Sequence, residues 1–466
     1  MANDRLLIKG GHVLTLDSKL GDLSPGEVLI EDGKIAEVGR DLEAGDAEMI
    51  EVGEDSIVMP GFVDTHRHTW QAPVRNIAAD WTLGHYLTGI HAGLSKFFRP
   101  DDTYIGNLLG TLEALNSGIT TLLDWSHNLA TPDHADAAVK GLMDSGSRAI
   151  FAHGGGAPQW APLPNEVPHP EDAKRVKERY FSSDDQLVTM ALALRGPQFA
   201  TKETTLGDYK LARDIGTRIT VHVGDGEFGK SRPVEWMAGE DLMGDDVTYV
   251  HCNMLGDDEL KMIADSGGTA SVSADIEMSM GHGWPATGRL IKAGVPVSLS
   301  IDVCSLNGGD MFSAMKSTVE CERALRNAEA DKAGTVLETL TPSSRDAVAF
   351  ATIDGARANG LDDKVGSLTP GKDADVIVLR TDDPGMLPVN NAYGAVVFNG
   401  HPGVVDTVIV AGNPVKRDGE FVGQDMDRIK RLAYESRDYL FEQAQSDEAL
   451  SDAATGGEWM PEQLRA

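Results

Sequence analysis

The chain is predicted to fold as a (β/α)8 TIM barrel with a small β-sandwich domain formed from both chain ends, and three features of the sequence carry that expectation. Short apolar, β-branched runs recur through the middle of the chain and alternate with helical segments, as in a parallel sheet wrapped by helices. Several of these runs end in a histidine or an aspartate, at the place where a barrel gathers its reacting groups. The flanking stretches, residues 1–59 and 365–423, read instead as short alternating strands with hairpin turns.

In chain order, Leu6-Leu7-Ile8-Lys9 and Glu27-Val28-Leu29-Ile30 are strands, and Glu31-Asp32-Gly33-Lys34 is a hairpin turn. The barrel is expected over residues 60–364. It opens with the apolar run Ser56-Ile57-Val58-Met59-Pro60-Gly61-Phe62 leading into Val63-Asp64-Thr65-His66-Arg67-His68. A helix from Asp102 to Asn116 comes next, and runs near 118–124, 147–152, 187–193 and 268–273 supply further strands. Thr217-Arg218-Ile219-Thr220-Val221-His222, Val247-Thr248-Tyr249-Val250-His251 and Val295-Pro296-Val297-Ser298-Leu299-Ser300-Ile301-Asp302 complete the set. Alternating strands then resume with Ala374-Asp375-Val376-Ile377-Val378-Leu379 and Thr407-Val408-Ile409-Val410. Neither flank has enough strands for a sandwich, so the two are expected to pair with each other. Residues 424–466 form a C-terminal helix and tail. Ile429, Leu432, Ala433, Tyr439 and Leu440 follow helical spacing, and the polar stretch Asp447 to Ala466 suits an arm reaching a neighbouring subunit of a homo-oligomer.

A strand ending in His-x-His points both imidazoles to one side, because side chains alternate with a period of two. Two neutral imidazoles on one side can chelate a divalent metal. His222, His251 and Asp302 each close a later run, so His66, His68, His222, His251 and Asp302 are expected to meet at one barrel mouth.

Composition sets limits on this picture. A length of 466 residues, 41% hydrophobic and 24% charged, leaves room for a full barrel and an accessory domain. No apolar stretch approaches the ~20 residues that cross a bilayer, and the Met1-Ala2-Asn3-Asp4-Arg5 start lacks the regions of a signal peptide, so a cytoplasmic protein is expected. Cys252, Cys304 and Cys321 are too few and too unpatterned for a disulfide framework or a cysteine-based zinc site and read as small core residues. A net charge of −32 and a pI near 4.7 argue against nucleic acid and anionic membranes as partners, since both would repel the surface.

The segment Pro60-Gly61-Phe62-Val63-Asp64-Thr65-His66-Arg67-His68, the strand-end His222 and His251, and Asp302 followed by Asn307, Asp310, Met311 and Phe312 resemble the amidohydrolase superfamily. The stretches Ala349 to Ala358 and Gly366 to Asp375 are similar to that family's two C-terminal signatures. The resemblance covers nearly the whole chain. It points to the branch of triazine hydrolases and adenosine- or cytosine-type deaminases, near the phenylurea and molinate hydrolases. It implies that His66, His68, His222 and Asp302 hold one divalent transition metal. Ligand type does not choose between zinc, iron, cobalt and manganese. A metal-activated water attacks the substrate, with Asp302 as general base and His251 stabilising the charge that develops. No lysine stands where two-metal members place a bridging one, which favours a single ion: the fourth run leads instead to Leu194-Arg195-Gly196-Pro197-Gln198.

Two positions depart from the deaminase pattern. Deaminases of this branch carry a glutamate three positions after the fifth-strand histidine, where it shuttles a proton to the ring nitrogen; here Asp225 stands there, one methylene shorter. Asp225 shuttles protons with altered geometry, or Glu227 replaces it, or no ring protonation is needed. The Gly-Pro-His motif after the fourth strand reads Gly196-Pro197-Gln198. Both changes disfavour heterocycle deamination and favour hydrolysis at an amide, urea, carbamate or thiocarbamate carbon. Gln71, Trp81, His127, Gln198 and His282 are candidate contacts to a small-molecule substrate. For Trp81 packing is the competing role, and for His282 a solvated loop. His153 reads as structural, while His12, His85, His91, His134, His169 and His401 lack a strand-end context. The expected activity is single-metal hydrolysis of a C–N bond at an sp2 carbon of a small non-peptide molecule. The alternatives are an aminohydrolase releasing ammonia from a nitrogen heterocycle, and a catalytically inactive binding barrel, which the intact ligand set disfavours.

Overall fold

In the computed structural model of the chain, residues 5–160 and 163–445 are described. Eight parallel strands form the barrel: β1 Phe62–Arg67, β2 Ile119–Ser126, β3 Arg148–His153, β4 Val188–Leu194, β5 Arg218–Val223, β6 Val247–His251, β7 Thr269–Val272 and β8 Val297–Leu299. Every residue of β1, β2 and β3 is buried. Strands covered on both faces lose the in–out alternation of a half-exposed sheet, so they appear in sequence as continuous apolar runs. The runs expected near 118–124, 147–152, 187–193 and 268–273 correspond to β2, β3, β4 and β7. The run from Val295 to Asp302 contributes only Val297–Leu299 as strand.

The seam between β8 and β1 closes through the backbone of a candidate site residue. Asp302 N–H donates to the His66 carbonyl at 2.9 Å, and His68 N–H donates to the Asp302 carbonyl at 2.8 Å. Asp302 is thereby clamped between the two histidines of His-x-His, with its backbone in the left-handed region at φ 62°.

Both chain ends contribute to the sheets outside the barrel. A four-stranded sheet comes from the N-terminal flank, and a six-stranded one mixes both flanks, with Ile57–Pro60 pairing antiparallel to Val376–Leu379. Leu6, Ile8, Val28 and Ile30 from one sheet and Val58, Val376 and Ile409 from the other pack into a shared apolar core. The two-residue turn Asp32-Gly33 has φ values of 51° and 77°, the left-handed pair that joins twisted hairpin strands. Arg148, at the base of β3, ties barrel to sandwich: its guanidinium donates to Asp375 at 3.0 Å and to Asp373 at 2.9 Å.

The helix expected from Asp102 spans Pro100–Asn116. Proline suits its first turn because that N–H would have no helical partner. The C-terminal helix runs Met426–Gln445 and buries Ile429 and Leu440 against the body of the protein. Tail residues 447–466 lie outside the described part. Among the described residues no helix is long and apolar enough to cross a membrane.

Candidate active site

His66 and His68 leave β1 on the same side, as the two-residue period requires, and their ring centroids lie 4.7 Å apart. His222, from the end of β5, lies 4.8 Å from His66 centroid to centroid. Asp302 reaches back from the end of β8, with Oδ1 3.3 Å from His66 Nε2 and 3.2 Å from His68 Nε2. All four side chains are buried.

These contacts bear on whether a cation belongs here. His68 Nδ1 lies 3.0 Å from the Trp125 carbonyl, an acceptor, so Nδ1 carries a proton and Nε2 is the nitrogen turned towards Asp302. Burial pushes the His66 imidazole down to about 3 and holds His222 well below the ordinary histidine range, so both rings are neutral near neutral pH, and His66 Nε2 facing a carboxylate oxygen needs a cation or a proton between them. A divalent ion fits this set of three imidazoles and one carboxylate. A carbonyl accepting from the far nitrogen of His68 is the usual way to orient such a ligand.

His251 closes β6 with φ 73°, a left-handed conformation rare for a residue with a Cβ. Its Nε2 is 3.8 Å from Asp302 Oδ2, and its Nδ1 is 3.2 Å from Glu277 Oε1. Burial opposes protonation of His251, but the Asp225, Glu277 and Asp302 carboxylates outweigh it and raise its pKa to about 9. Asp225 follows β5 and lies buried with Oδ1 2.9 Å from His282 Nδ1. His282, on the loop after β7, is buried and its Nε2 has no partner among the described residues. Glu227 points outward instead and pairs with Lys230 at 2.6 Å, its side chain 84% exposed. Of the two carboxylates considered after His222, only Asp225 lies in the cavity.

The remaining expectations divide. His127 and His282 line the cavity beside the metal set, together with Phe199 and Trp160. Gln71, Trp81 and Gln198 are not among its lining residues. Gln71 is fully buried behind it, donating to the Tyr86 hydroxyl at 2.6 Å and accepting from Ser305 at 2.7 Å. Trp81 packs over Gly89 in an apolar cluster with Trp70 and Ile90. Gln198 accepts the backbone N–H of Asp225 at 3.2 Å and so steadies the loop carrying that carboxylate. His153 pairs with His169 at 3.0 Å, outside the cavity lining. Arg195, where a bridging lysine would stand, is buried and engaged with Asp208 and the Val167 carbonyl. Cys252, Cys304 and Cys321 are free and buried.

Sequence reasoning missed His91, Tyr86 and Glu277. His91 and Tyr86 line the cavity from the segment after β1, and His91 Nε2 lies 3.2 Å from His127 Nε2. Neither position stands at a strand end, and neither belongs to a periodic pattern. Glu277 lies on the helix Ala274–Ser279 after β7, where its alternation with Met278 gave no sign of a buried acid.

Barrel and site together define a metal-dependent hydrolase. Residues 57–415 match the profile of the Amidohydrolase family, and the chain belongs to that family. It is 30% identical over 442 residues to a 5′-deoxyadenosine deaminase of Methanothermobacter thermautotrophicus, covering 93% of this chain and 98% of that protein. A 5-methylthioadenosine/S-adenosylhomocysteine deaminase of Desulfitobacterium hafniense is 28% identical, with 87% of this chain and 92% of that one covered. Among solved structures, a zinc-bound adenosine deaminase from Xanthomonas campestris superposes with TM-score 0.81 at 21% identity, covering 93% and 98% of the two chains. The zinc complex of an atrazine chlorohydrolase from Arthrobacter aurescens TC1 gives TM-score 0.80 at 21% identity, over 93% and 100%. The chain is accordingly a hydrolase acting on carbon–nitrogen bonds other than peptide bonds.

Proposed function

We propose that the protein hydrolyses a C–N bond at the sp2 carbon of a small neutral amide, urea, carbamate or thiocarbamate, releasing an amine. The observation that carries this reading is the buried Asp225–His282 pair on the cavity wall. A carboxylate already engaged by an imidazole, and one methylene short of the usual glutamate, is poorly placed to protonate a heterocycle by itself. The pair is better suited to passing a proton through His282 Nε2 to a departing amine nitrogen.

A divalent cation held by His66, His68, His222 and Asp302 would polarise the substrate carbonyl and lower the pKa of water from about 15.7 towards about 7. Asp302 Oδ2, the oxygen turned away from His66 and His68, takes the proton from the attacking water. His251 donates from Nε2 to the oxygen that gains negative charge, with Glu277 at Nδ1 holding its orientation. The tetrahedral adduct collapses as the C–N bond breaks. Protonation of the leaving nitrogen restores a neutral amine.

Identifying the nitrogen product tests this reading. Metal-loaded enzyme is assayed against a panel of phenylureas, carbamates, thiocarbamates, 5′-deoxyadenosine and aminated heterocycles, with amine and ammonia quantified separately. Amine release from the first three classes is expected, and ammonia release from the last two alone would refute it. Deamination is the second reading, favoured by full-length similarity to the Methanothermobacter thermautotrophicus deaminase.

A further inference from the structure

Beside the metal set, three imidazoles lie in a row, the first two stacked and the third tilted by 53°. The His68 and His127 rings stack with centroids 4.2 Å apart, and His127 and His91 are again 4.2 Å apart. At the side of this row, Trp70 Nε1 lies 3.0 Å from His127 Nδ1. All four side chains are buried.

The hydrogen bonds leave one protonation pattern. An indole nitrogen can only donate, so His127 Nδ1 must accept and cannot carry a proton. The proton of His127 is therefore on Nε2, which lies 3.2 Å from His91 Nε2. Two N–H groups cannot face each other at that distance, so His91 Nε2 accepts. This excludes imidazolium for both rings and puts the single proton of His91 on Nδ1. That nitrogen is buried and has no partner among the described residues, while its ring forms part of the cavity lining. A buried N–H without an acceptor is left desolvated and unpaired, and a ligand acceptor offsets that cost. Beside it, the Tyr86 hydroxyl accepts from Gln71 and so keeps its own hydrogen available to donate.

We infer that His91 is a substrate-binding residue whose Nδ1–H, held in place by the relay from Trp70 through His127, recognises a neutral hydrogen-bond acceptor on the substrate. The acceptor is a carbonyl, ether or hydroxyl oxygen, or an unprotonated ring nitrogen. Trp160, 5.2 Å from His91 centroid to centroid and tilted by 31°, supplies an apolar wall beside it. Substrates presenting an ammonium or another donor at this point are rejected, because the relay leaves His91 no lone pair to offer. The inference rests on this cavity being the substrate site. It holds for amine release and for ammonia release alike, so the product assay and the test below can fail independently.

The test reads tautomer first and binding second. Two-bond proton–nitrogen NMR correlation on histidine-labelled, metal-loaded enzyme should show one histidine, missing in His91→Asn, with Nδ1 protonated and Nε2 unprotonated. Trp70→Phe should mix the tautomers of His91 and His127. An Nε2-protonated His91 in the unaltered enzyme would overturn the inference, whatever the activity. For binding, the probes are N,N-dimethyl-N′-(3-methoxyphenyl)urea, whose ether oxygen is a second acceptor apart from the scissile carbonyl, and 5′-deoxyadenosine, and the one turned over is used. His91→Leu should raise KM by about 10-fold or more, with kcat within about 3-fold and metal content unchanged. His91→Asn, whose amide nitrogen can occupy the place of Nδ1, should restore KM to within about 3-fold. A leucine variant with wild-type KM, or an asparagine variant no better than leucine, would also overturn it.

Discussion

Asp225→Asn removes one charge from a buried pair and leaves the volume of the side chain almost unchanged. The carboxylate lies 2.9 Å from His282 Nδ1, and both residues are 3% exposed, so solvent screens the contact little. The two atoms form a close ion pair without aligned hydrogen-bond geometry, and a buried contact of this kind contributes about 1.5–3 kcal/mol, the lower end for close charge pairs. At about 1.4 kcal/mol per tenfold, losing that orientation of His282 lowers kcat/KM by about 10- to 100-fold. If Asp225 also relays the proton itself, the loss extends to the ~10²–10⁴-fold typical of one acid–base group, and turnover remains measurable. The assay compares Asp225→Asn, His282→Gln and the double variant on a phenylurea, with metal content checked by elemental analysis. Residues acting as one unit give a double variant no worse than the worse single. Strict additivity would refute the pair. Complete loss in Asp225→Asn, with metal and fold intact and ammonia as the product, would restore the deaminase reading.

Purified protein should carry about one transition-metal ion per chain, and chelation should remove activity reversibly, because three imidazoles converge and Asp302 lies against two of them; full activity in a metal-free preparation would contradict this. Asp302→Asn should reduce turnover far more than metal content, since His66, His68 and His222 remain while the base is lost. Parallel loss of both in elemental and kinetic measurements would make Asp302 a ligand alone. Arg148→Met leaves Asp375 buried without its counter-charge and should lower unfolding stability by about 3–5 kcal/mol in a urea titration. An unchanged denaturation midpoint would show that the barrel–sandwich tie is dispensable.

Strand positions and the five convergent residues could be read from the chain alone, because both follow from local rules. Fully covered strands are written as apolar runs, and a period of two sends His66 and His68 to the same side. Parallel topology then brings His222, His251 and Asp302 to the mouth where β1 ends. Even the split sandwich was foreseeable, since neither flank could cover its own sheet. Loop residues were not legible in this way. His91 enters the cavity from Leu87–His91, a single irregular turn whose direction is set by what packs beneath it. One such support is Trp81, whose ring lies so close under Gly89 of that turn that a Cβ there would come within 2.5 Å of it. Trp81 and Gln71, near in sequence to His68, fall behind the cavity wall, whereas Tyr86 and His91 form part of that wall. The choice of Asp225 over Glu227 as the inward carboxylate likewise depended on the turn that opens at Asp225 and on Gln198 gripping its backbone. Residues on strands inherit their direction from the backbone beneath them, while loop residues take theirs from contacts made far along the chain, and only the folded molecule contains those contacts.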